Sequence, residues 1–98
     1  MTGERPAKPR ISLRLSDGEA GTALAYADGL LHVVCERAHP PGEPLSLTLL
    51  LPDAAELGLQ GKCAGSKRRD DGAFDVKLRL TSLRREQRAV LERLFAAS

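Results

Sequence analysis

The chain has 98 residues, of which 42% are hydrophobic and 29% charged, and its net charge is +2. This length suffices for one small domain, because two cores of ordinary size need about 100 residues each. No apolar run approaches the ~18 residues that cross a bilayer, and the first residues lack the pattern of a signal peptide. Two cysteines are too few for a disulfide framework. We therefore expect a cytoplasmic protein with reduced thiols, no membrane insertion and, at this modest charge, no nucleic-acid partner.

The first ten residues form a separate segment. They contain two of the six prolines and three basic side chains, and proline lacks the N–H that the interior of a helix or sheet requires. We expect a flexible, basic N-terminal arm over residues 1–10, followed by one folded domain over residues 11–98.

Six segments after the arm alternate apolar and polar residues, which is the period of a half-buried strand. Asp28-Gly29 lies between two of them and predicts a tight hairpin, because both central residues of a type I′ turn need positive φ. The predicted strands cover residues 11–15, 21–27, 30–36, 45–51, 57–63 (running out into 67–69) and 74–81.

The period changes after Thr81, where apolar residues fall on one stripe of a helix. Ser82 is the expected N-cap, and the helix is predicted over about residues 83–96. Six strands with short turns and one helix predict an all-β fold, a six-stranded antiparallel β-barrel covered by the helix. Since a small domain cannot spare this apolar area, we expect the stripe to pack into the barrel. Its members are Leu83, Val90, Leu91, Leu94 and Phe95.

Four residues have the side chains of a tetrahedral zinc site, namely His32, Cys35, His39 and Cys63. Strand geometry argues against such a site, because residues three apart, such as His32 and Cys35, point to opposite faces. Structural zinc sites also place paired ligands in tight turns. We therefore expect no metal, one cysteine in the core and one histidine at the surface.

The sequence contains none of the motifs that mark nucleophilic, phosphate-binding or paired-carboxylate sites. Neither cysteine has the surroundings of a reactive thiolate. We therefore predict that the protein is not an enzyme and needs no cofactor. Seven acidic residues fall in or beside turns, where we expect structural or solvated positions: Asp17, Glu19, Asp28, Glu43, Asp53, Asp70 and Asp71.

Basic residues cluster at 67–69 beside a turn, at 84–85 at the helix start, and around the arm. Solvated charge is the simpler interpretation, because acids at 70, 71, 86 and 92 compensate the first two clusters. An anionic partner is the alternative, and arginines on an arm are suited to grip phosphate groups.

The order of these features resembles that of a PilZ domain, in particular the stand-alone PilZ-like domains of myxobacteria. The resemblance runs from about Arg10 to Phe95. It implies a six-stranded antiparallel barrel with a C-terminal helix, in agreement with the pattern above. It rests on a basic arm, a hairpin, and the segments PPGEPLSLTLLLP, LGLQGKC, GAFDVKLRLTSL and REQRAVLERLF.

Typical PilZ domains bind cyclic di-GMP through an RxxxR motif on the arm and a (D/N)xSxxG motif in the second and third strands. The match here is poor, because the RxxxR of residues 10–14 runs into the predicted first strand, and Leu24 and Tyr26 replace the polar residues of the second motif. Each lost hydrogen-bond partner costs about 1–3 kcal/mol, so we expect weak or no binding. The residues that the resemblance assigns to the ligand are Arg5, Arg10, Arg14 and Gly29.

The resemblance thus implies a non-enzymatic adaptor that acts through protein–protein interaction, in bacterial motility or second-messenger signalling. The partner is expected at an exposed sheet edge, at the helix face, or at both. A genuine cyclic di-GMP receptor that uses the N-terminal arginines is the alternative. A nucleic-acid binder that uses the basic clusters is the third possibility.

Overall fold

The computed structural model describes residues 11–51 and 53–95. The predicted arm, residues 1–10, lies outside the described residues. The strands fall where the alternating pattern predicts them. The elements in chain order are β1 (Ile11–Leu15), β2 (Ala20–Ala27), β3 (Leu30–Cys35), β4 (Pro44–Leu50), β5 (Glu56–Arg68), β6 (Phe74–Thr81) and α1 (Arg85–Leu94).

The strands close into one barrel in the order β1-β2-β3-β6-β5-β4, and β4 pairs back to β1. Every neighbouring pair is antiparallel. This confirms the predicted fold class, an all-β, six-stranded antiparallel β-barrel with one C-terminal helix. Because each described strand has a partner on both sides, the barrel offers no full-length edge to which another protein could add a strand.

The barrel interior is filled by the inward-facing half of each alternating pattern. In β1, Ile11, Leu13 and Leu15 are buried, whereas Ser12 and Arg14 are exposed. Burial of one large aliphatic side chain contributes about 1.5–3 kcal/mol, so this interior is the main source of stability. The largest fully buried side chains are Leu31, Leu49, Leu78, Leu91, Val33, Val76 and Cys35.

The β2–β3 hairpin turns at Asp28 and Gly29, as the sequence predicts. Their φ values are 53° and 77°, which is the backbone of a type I′ turn. Glycine adopts this conformation without a steric penalty. The Gly29 carbonyl also accepts a hydrogen bond from the N–H of Leu80 at 3.1 Å, so the turn is joined to β6.

The helix begins later and ends earlier than the predicted range 83–96, since it covers Arg85–Leu94. The prediction of Ser82 as N-cap is wrong, because Ser82 has a left-handed backbone (φ 54°) in the connection before the helix. Arg84 is the N-cap instead, and its N–H donates to Oε1 of Gln87 at 3.0 Å. Gln87 thereby takes the position of the glutamate in a capping box.

Four of the five residues of the apolar stripe pack toward the barrel, as expected, whereas Val90 is half-buried and is not among the residues packed against the core. Leu91 is fully buried and Phe95 is buried beside it, and both belong to the core cluster. Leu83 and Leu94 are partly buried against the same cluster. The helix thus covers the end of the barrel at which β6 finishes, and it contacts β2.

The opposite end of the barrel is covered by the β3–β4 loop, residues 36–43. β5 continues past the start of β4, which pairs with it only up to Lys62. The loop pairs with this extension, since Gly42 N–H donates to the Cys63 carbonyl at 2.6 Å and Cys63 N–H donates to the Glu43 carbonyl at 2.9 Å. At Cys63 the loop therefore takes the place of β4 as the hydrogen-bond partner of β5.

Candidate functional site

Two of the four residues predicted to bind a ligand lie among the described residues. Arg14 is exposed on the outer face of β1 and pairs with Ala20 at the start of β2. Gly29 lies beyond the other end of β2. A strand rises about 3.3 Å per residue, so roughly 20 Å of β2 separates the two. The structure does not bring them together, and Arg5 and Arg10 lie outside the described residues.

The two residues that replace the polar positions of the ligand motif do not form a polar surface either. Tyr26 pairs with Leu31 and packs, partly buried, against the core. Leu24 lies at a β-bulge between Ala23 and Ala25. The side chain at position 26 therefore contributes to packing of the barrel.

A polar groove of about 780 Å³ crosses the outer surface of β1, β4 and β5 and is bordered by the start of α1. Arg14 and Arg84 supply its two cationic side chains, and Glu56 supplies one carboxylate. The remaining polar lining consists of hydroxyl and amide groups, among them Thr48 and Gln60. A ligand in this groove would be held by hydrogen bonds and by guanidinium groups rather than by apolar contact.

Gln87 fixes the start of α1 against β5 and so sets the border of this groove. Its side-chain N–H donates to the Gly58 carbonyl at 3.0 Å, while its Oε1 accepts from the N–H of Arg84. β6 pairs with β5 only from Gln60 onward. The Gly58 carbonyl therefore lies beyond the end of β6, where the Gln87 side chain serves as its partner.

A second outer surface, which we call the basic face, lies on β5 and β6. It consists of the exposed residues Lys62, Lys67, Lys77 and Arg79. Lys62 lies directly opposite Arg79 in the register, and like charges in such a pair are destabilising. Within residues 11–51 and 53–95, none of the four forms an ion pair. The outward direction of Lys77 and Arg79 can be predicted from the alternation in the sequence, whereas the pairing of Arg79 with Lys62 depends on the register of the two strands.

The β5–β6 turn is basic in sequence but compensated in the structure. Arg69 donates to Oδ1 of Asp75 at 2.7 Å, and its Nε lies 3.7 Å from Oδ1 of Asp71. The hydrogen bond from Arg69 holds the pKa of Asp75 below its ordinary value, although burial of the carboxyl opposes this. His32 contacts the same carboxylate at 3.1 Å. Arg69 is therefore engaged within the domain rather than free for a partner.

A buried polar cluster lies beneath the β3–β4 loop. Only 4% of the Glu19 side chain and 5% of the His39 side chain is exposed, and Nε2 of His39 lies 3.1 Å from the Glu19 carboxylate. This carboxylate also accepts hydrogen bonds from the N–H groups of Glu36 at 2.8 Å and Arg37 at 3.0 Å. Glu19 is thus a buried, structural residue. The loop amides have no strand partner, and a buried carboxylate satisfies them.

Two charged residues cover this cluster on the solvent side. Asp17 accepts a hydrogen bond from the N–H of Glu19 at 2.9 Å, and this bond lowers the pKa of Asp17 below its ordinary value. Arg37 forms an ion pair with Asp17 and lies 3.4 Å from Oε1 of Glu19. The carboxylate of Glu19 is therefore held from several directions.

Both cysteines are buried and reduced. Burial raises the pKa of Cys35 to about 12, and the Glu19 carboxylate adds to the effect. Burial also raises the pKa of Cys63, whose Sγ donates to the His39 carbonyl at 3.2 Å. The expectation of one buried cysteine and one surface histidine is therefore only partly right: both thiols are buried, and His39 is buried while His32 is partly exposed.

The four residues considered for zinc do not assemble into one site. His32 points outward to Asp75 and Cys35 points into the core, as strand alternation predicts. The structure instead places Glu19 beside Cys35 and His39, and the ligand atoms of these three all lie within 4.8 Å of one another. No sequence motif signals this cluster, because Glu19 is distant along the chain from the other two.

No protein-family model matches the chain, and no curated protein matches it significantly. Membership of the PilZ family therefore stays a prediction that rests on the order of the sequence features. Among the described residues, no helix has the length and apolar character needed to span a bilayer.

Proposed function

We propose that this chain is a non-enzymatic, PilZ-like adaptor domain of the cytoplasm, and that its basic face binds an acidic surface of a protein partner. The observation that carries the proposal is the register of β5 and β6, which sets Lys62 directly opposite Arg79. The assignment to bacterial motility or second-messenger signalling rests on the resemblance to PilZ domains.

The basic face carries an electrostatic cost in the free domain. Lys62 and Arg79 repel each other across the strand pair, and Lys77 adds charge of the same sign, whereas Lys67 lies opposite Asp75. An acidic partner relieves this repulsion and is attracted over a Debye length, about 8–10 Å at ordinary ionic strength. The face is therefore suited to electrostatic capture of an acidic protein surface.

The fold favours binding through outer side chains over the other two surfaces expected from the sequence. Barrel closure leaves no full-length strand edge. The helix stripe is occupied as well, because Leu91 and Phe95 are buried in the core. Both of those surfaces serve the domain's own stability, which leaves the outer barrel wall for a partner.

A protein partner fits the basic face better than a nucleic acid does. Its four cations are fewer than the roughly 6–10 phosphate contacts of strongly salt-dependent binders. The face carries no aromatic side chain on which bases could stack. The adjacent turn adds little charge, since Arg69 is paired with Asp71 and Asp75.

The described residues also support binding rather than catalysis. With a pKa of about 12, Cys35 is a protonated thiol at neutral pH, and the thiolate is the reactive form. Within the described ranges, the imidazole rings of His32 and His39 contact carboxylates rather than a hydroxyl or thiol. A nucleophile activated by a histidine base therefore does not occur in this part of the chain.

The groove supports the alternative function, a cyclic di-GMP receptor. Its volume of about 780 Å³ falls within the range of small-ligand sites, about 300–1,000 Å³. Arg14 and Arg84 provide two guanidinium groups for phosphate. In this form the alternative uses Arg14 but not Gly29, which lies at the far end of β2.

The proposal is tested by fluorescence anisotropy with a labelled octaglutamate peptide as the probe of an acidic surface. We expect saturable binding that weakens with added salt. The double variant Lys77→Glu/Arg79→Glu should weaken binding at least fivefold, about 1 kcal/mol. The matched control is Arg85→Glu/Arg88→Glu, which makes the same change in net charge on the helix and should have little effect. Equal losses of affinity in the two variants would show that binding depends only on the net charge of the protein. That result would refute a specific binding face.

Two further titrations separate the alternatives. With cyclic di-GMP, calorimetry should show no saturable binding at tens of micromolar ligand. A Kd near 1 µM, about −8 kcal/mol, that is lost in Arg14→Ala would replace the adaptor proposal with the receptor. With duplex DNA, tighter binding than octaglutamate and a steep dependence on salt would favour the nucleic-acid alternative.

A further inference from the structure

The buried cluster beneath the β3–β4 loop contains three potential metal ligands from three different segments. Glu19 comes from the β1–β2 connection, Cys35 ends β3, and His39 comes from the loop after it. All three are buried, and their carboxylate oxygen, Sγ and ring nitrogen lie within 4.8 Å of one another. The groups are therefore close enough for a single ion to contact all of them.

In one of its two neutral tautomers, His39 presents the lone pair of a ring nitrogen to the Glu19 carboxylate. Nδ1 lies 3.3 Å from Oε1 of Glu43, and Nε2 lies 3.1 Å from Oε1 of Glu19. A neutral imidazole has one N–H, so it can donate to only one of these two carboxylates. When the N–H is on Nδ1, the lone pair of Nε2 faces a carboxylate oxygen with no proton between them. A metal ion at that place would bind both atoms.

The contact to Glu43 has the form of an outer partner in a metal site. Histidine ligands commonly donate their second ring N–H to a carboxylate, which fixes the tautomer and orients the ring. Glu43 is partly exposed, whereas His39 is almost completely buried. The outer carboxylate thus lies toward solvent, and the inner nitrogen faces Glu19.

We propose that Glu19, Cys35 and His39 bind one Zn²⁺ ion, which joins the β1–β2 connection, the end of β3 and the β3–β4 loop. Their sulfur, nitrogen and oxygen donors match those of zinc sites, with bond lengths of about 2.3, 2.0–2.1 and 2.0–2.2 Å. Ligand atoms around a tetrahedral ion of this size lie about 3.3–3.8 Å apart. The His39 and Glu19 atoms, now 3.1 Å apart, must separate by a few tenths of an ångström, and atoms that lie up to 4.8 Å apart must approach by up to about 1 Å.

Binding requires the Cys35 thiol to lose its proton, which is released to solvent as the sulfur–zinc bond forms. The resulting thiolate and the Glu19 carboxylate together balance the charge of the ion. Zinc affinity should therefore fall as the pH is lowered. Other charged groups facing this site are Arg37, which lies 3.4 Å from Glu19, and Asp17, which pairs with Arg37.

The test uses the full chain, reduced and treated with a chelator, and Co²⁺ as a spectroscopic probe. We expect a thiolate-to-cobalt charge-transfer band that saturates at one equivalent of Co²⁺ and disappears on addition of one equivalent of Zn²⁺. Cys35→Ser should abolish the band, and His39→Gln should weaken cobalt affinity at least tenfold. His32→Gln is the matched control, since His32 lies outside the cluster, and it should bind as the unaltered protein does.

A second readout is the melting temperature, which Zn²⁺ should raise for the unaltered protein and His32→Gln. If Cys35→Ser does not fold, the titrations of the unaltered protein and of His39→Gln still decide the question. The absence of a charge-transfer band in the folded, reduced protein would overturn the proposal. Neither result bears on the basic face, so this proposal stands or falls independently of the adaptor function.

Discussion

At the end of the barrel where β6 finishes, α1 covers the core with Leu91 and Phe95. At the opposite end, Glu19 of the β1–β2 connection and His39 of the β3–β4 loop cover it. The apolar end depends on burial, which has no directional requirement and tolerates small shifts. The polar end depends on hydrogen bonds, whose partners must be present at defined distances because an unpaired buried polar group is costly. Equal burial at the two ends therefore reflects different chemistry and different sensitivity to substitution.

The largest effect of a single substitution is expected at the apolar end. Leu91→Ala should lower the free energy of unfolding by about 2–5 kcal/mol, because the Leu91 side chain is fully buried and its truncation leaves a cavity in the core. Val90→Ala, at a half-buried neighbour, is the matched control and should cost less. Urea unfolding monitored by circular dichroism gives both values. An unchanged free energy in Leu91→Ala, together with loss of a dimer in size-exclusion chromatography, would assign the stripe to a partner instead.

The apolar end could be predicted from the sequence and the polar end could not. The stripe that contains Leu91 repeats at a helical period, and period is a local property that a sequence displays directly. Glu19 follows Asp17-Gly18 and has the pattern of an ordinary turn residue. Its burial is decided by where the β3–β4 loop folds, and the amides that it satisfies are distant along the chain.

The same distinction between local sequence pattern and contacts of distant segments applies to the candidate surfaces. The outward direction of Lys77 and Arg79 follows from strand alternation, but the repulsive pairing of Arg79 with Lys62 requires the register of two strands. The helix start was mispredicted for a similar reason, since Gln87 is fixed by the distant Gly58 carbonyl. Local periodicity therefore predicts elements and faces, while sites formed by contacts between distant segments need the tertiary structure.

The polar end is tested by Glu19→Gln in buffer with a chelator. The variant removes the charge that strengthens the hydrogen bonds from Glu36 and Arg37, and it should cost about 1.5–3 kcal/mol, as for hydrogen bonds to charged groups. Glu43→Gln is the control and should cost less, since Glu43 is partly exposed and contacts only the outer side of His39. Equal losses in urea unfolding would mean that the burial of Glu19 does not determine its contribution.

The β2–β3 turn lies at the helix end of the barrel, and its stability depends on backbone conformation rather than on burial. Gly29→Val should cost about 1–3 kcal/mol, since a β-branched residue is strained at φ 77°. Gly29→Asn should cost much less, because asparagine tolerates the left-handed conformation. Thermal melting of the two variants decides. Equal melting temperatures for the valine and asparagine variants would show that the strain is absorbed elsewhere in the turn.

The smallest effect is expected on the outer wall, where Asp75 is held by Arg69 in a partly exposed ion pair. At neutral pH, Asp75→Asn should cost less than about 1 kcal/mol, as surface pairs do. The pKa of Asp75 in the folded state is lowered from its ordinary value of 3.8. Its contribution is therefore present above that value and is lost as the pH falls through the lower folded pKa. The difference in unfolding free energy between the unaltered protein and Asp75→Asn should shrink toward zero over this acid range.

The control is Asp70→Asn, at a residue that makes no ion pair with the described residues, and it should show no such pH-dependent difference. A difference for Asp75→Asn that persists at the lowest pH would exclude the ion pair as its origin.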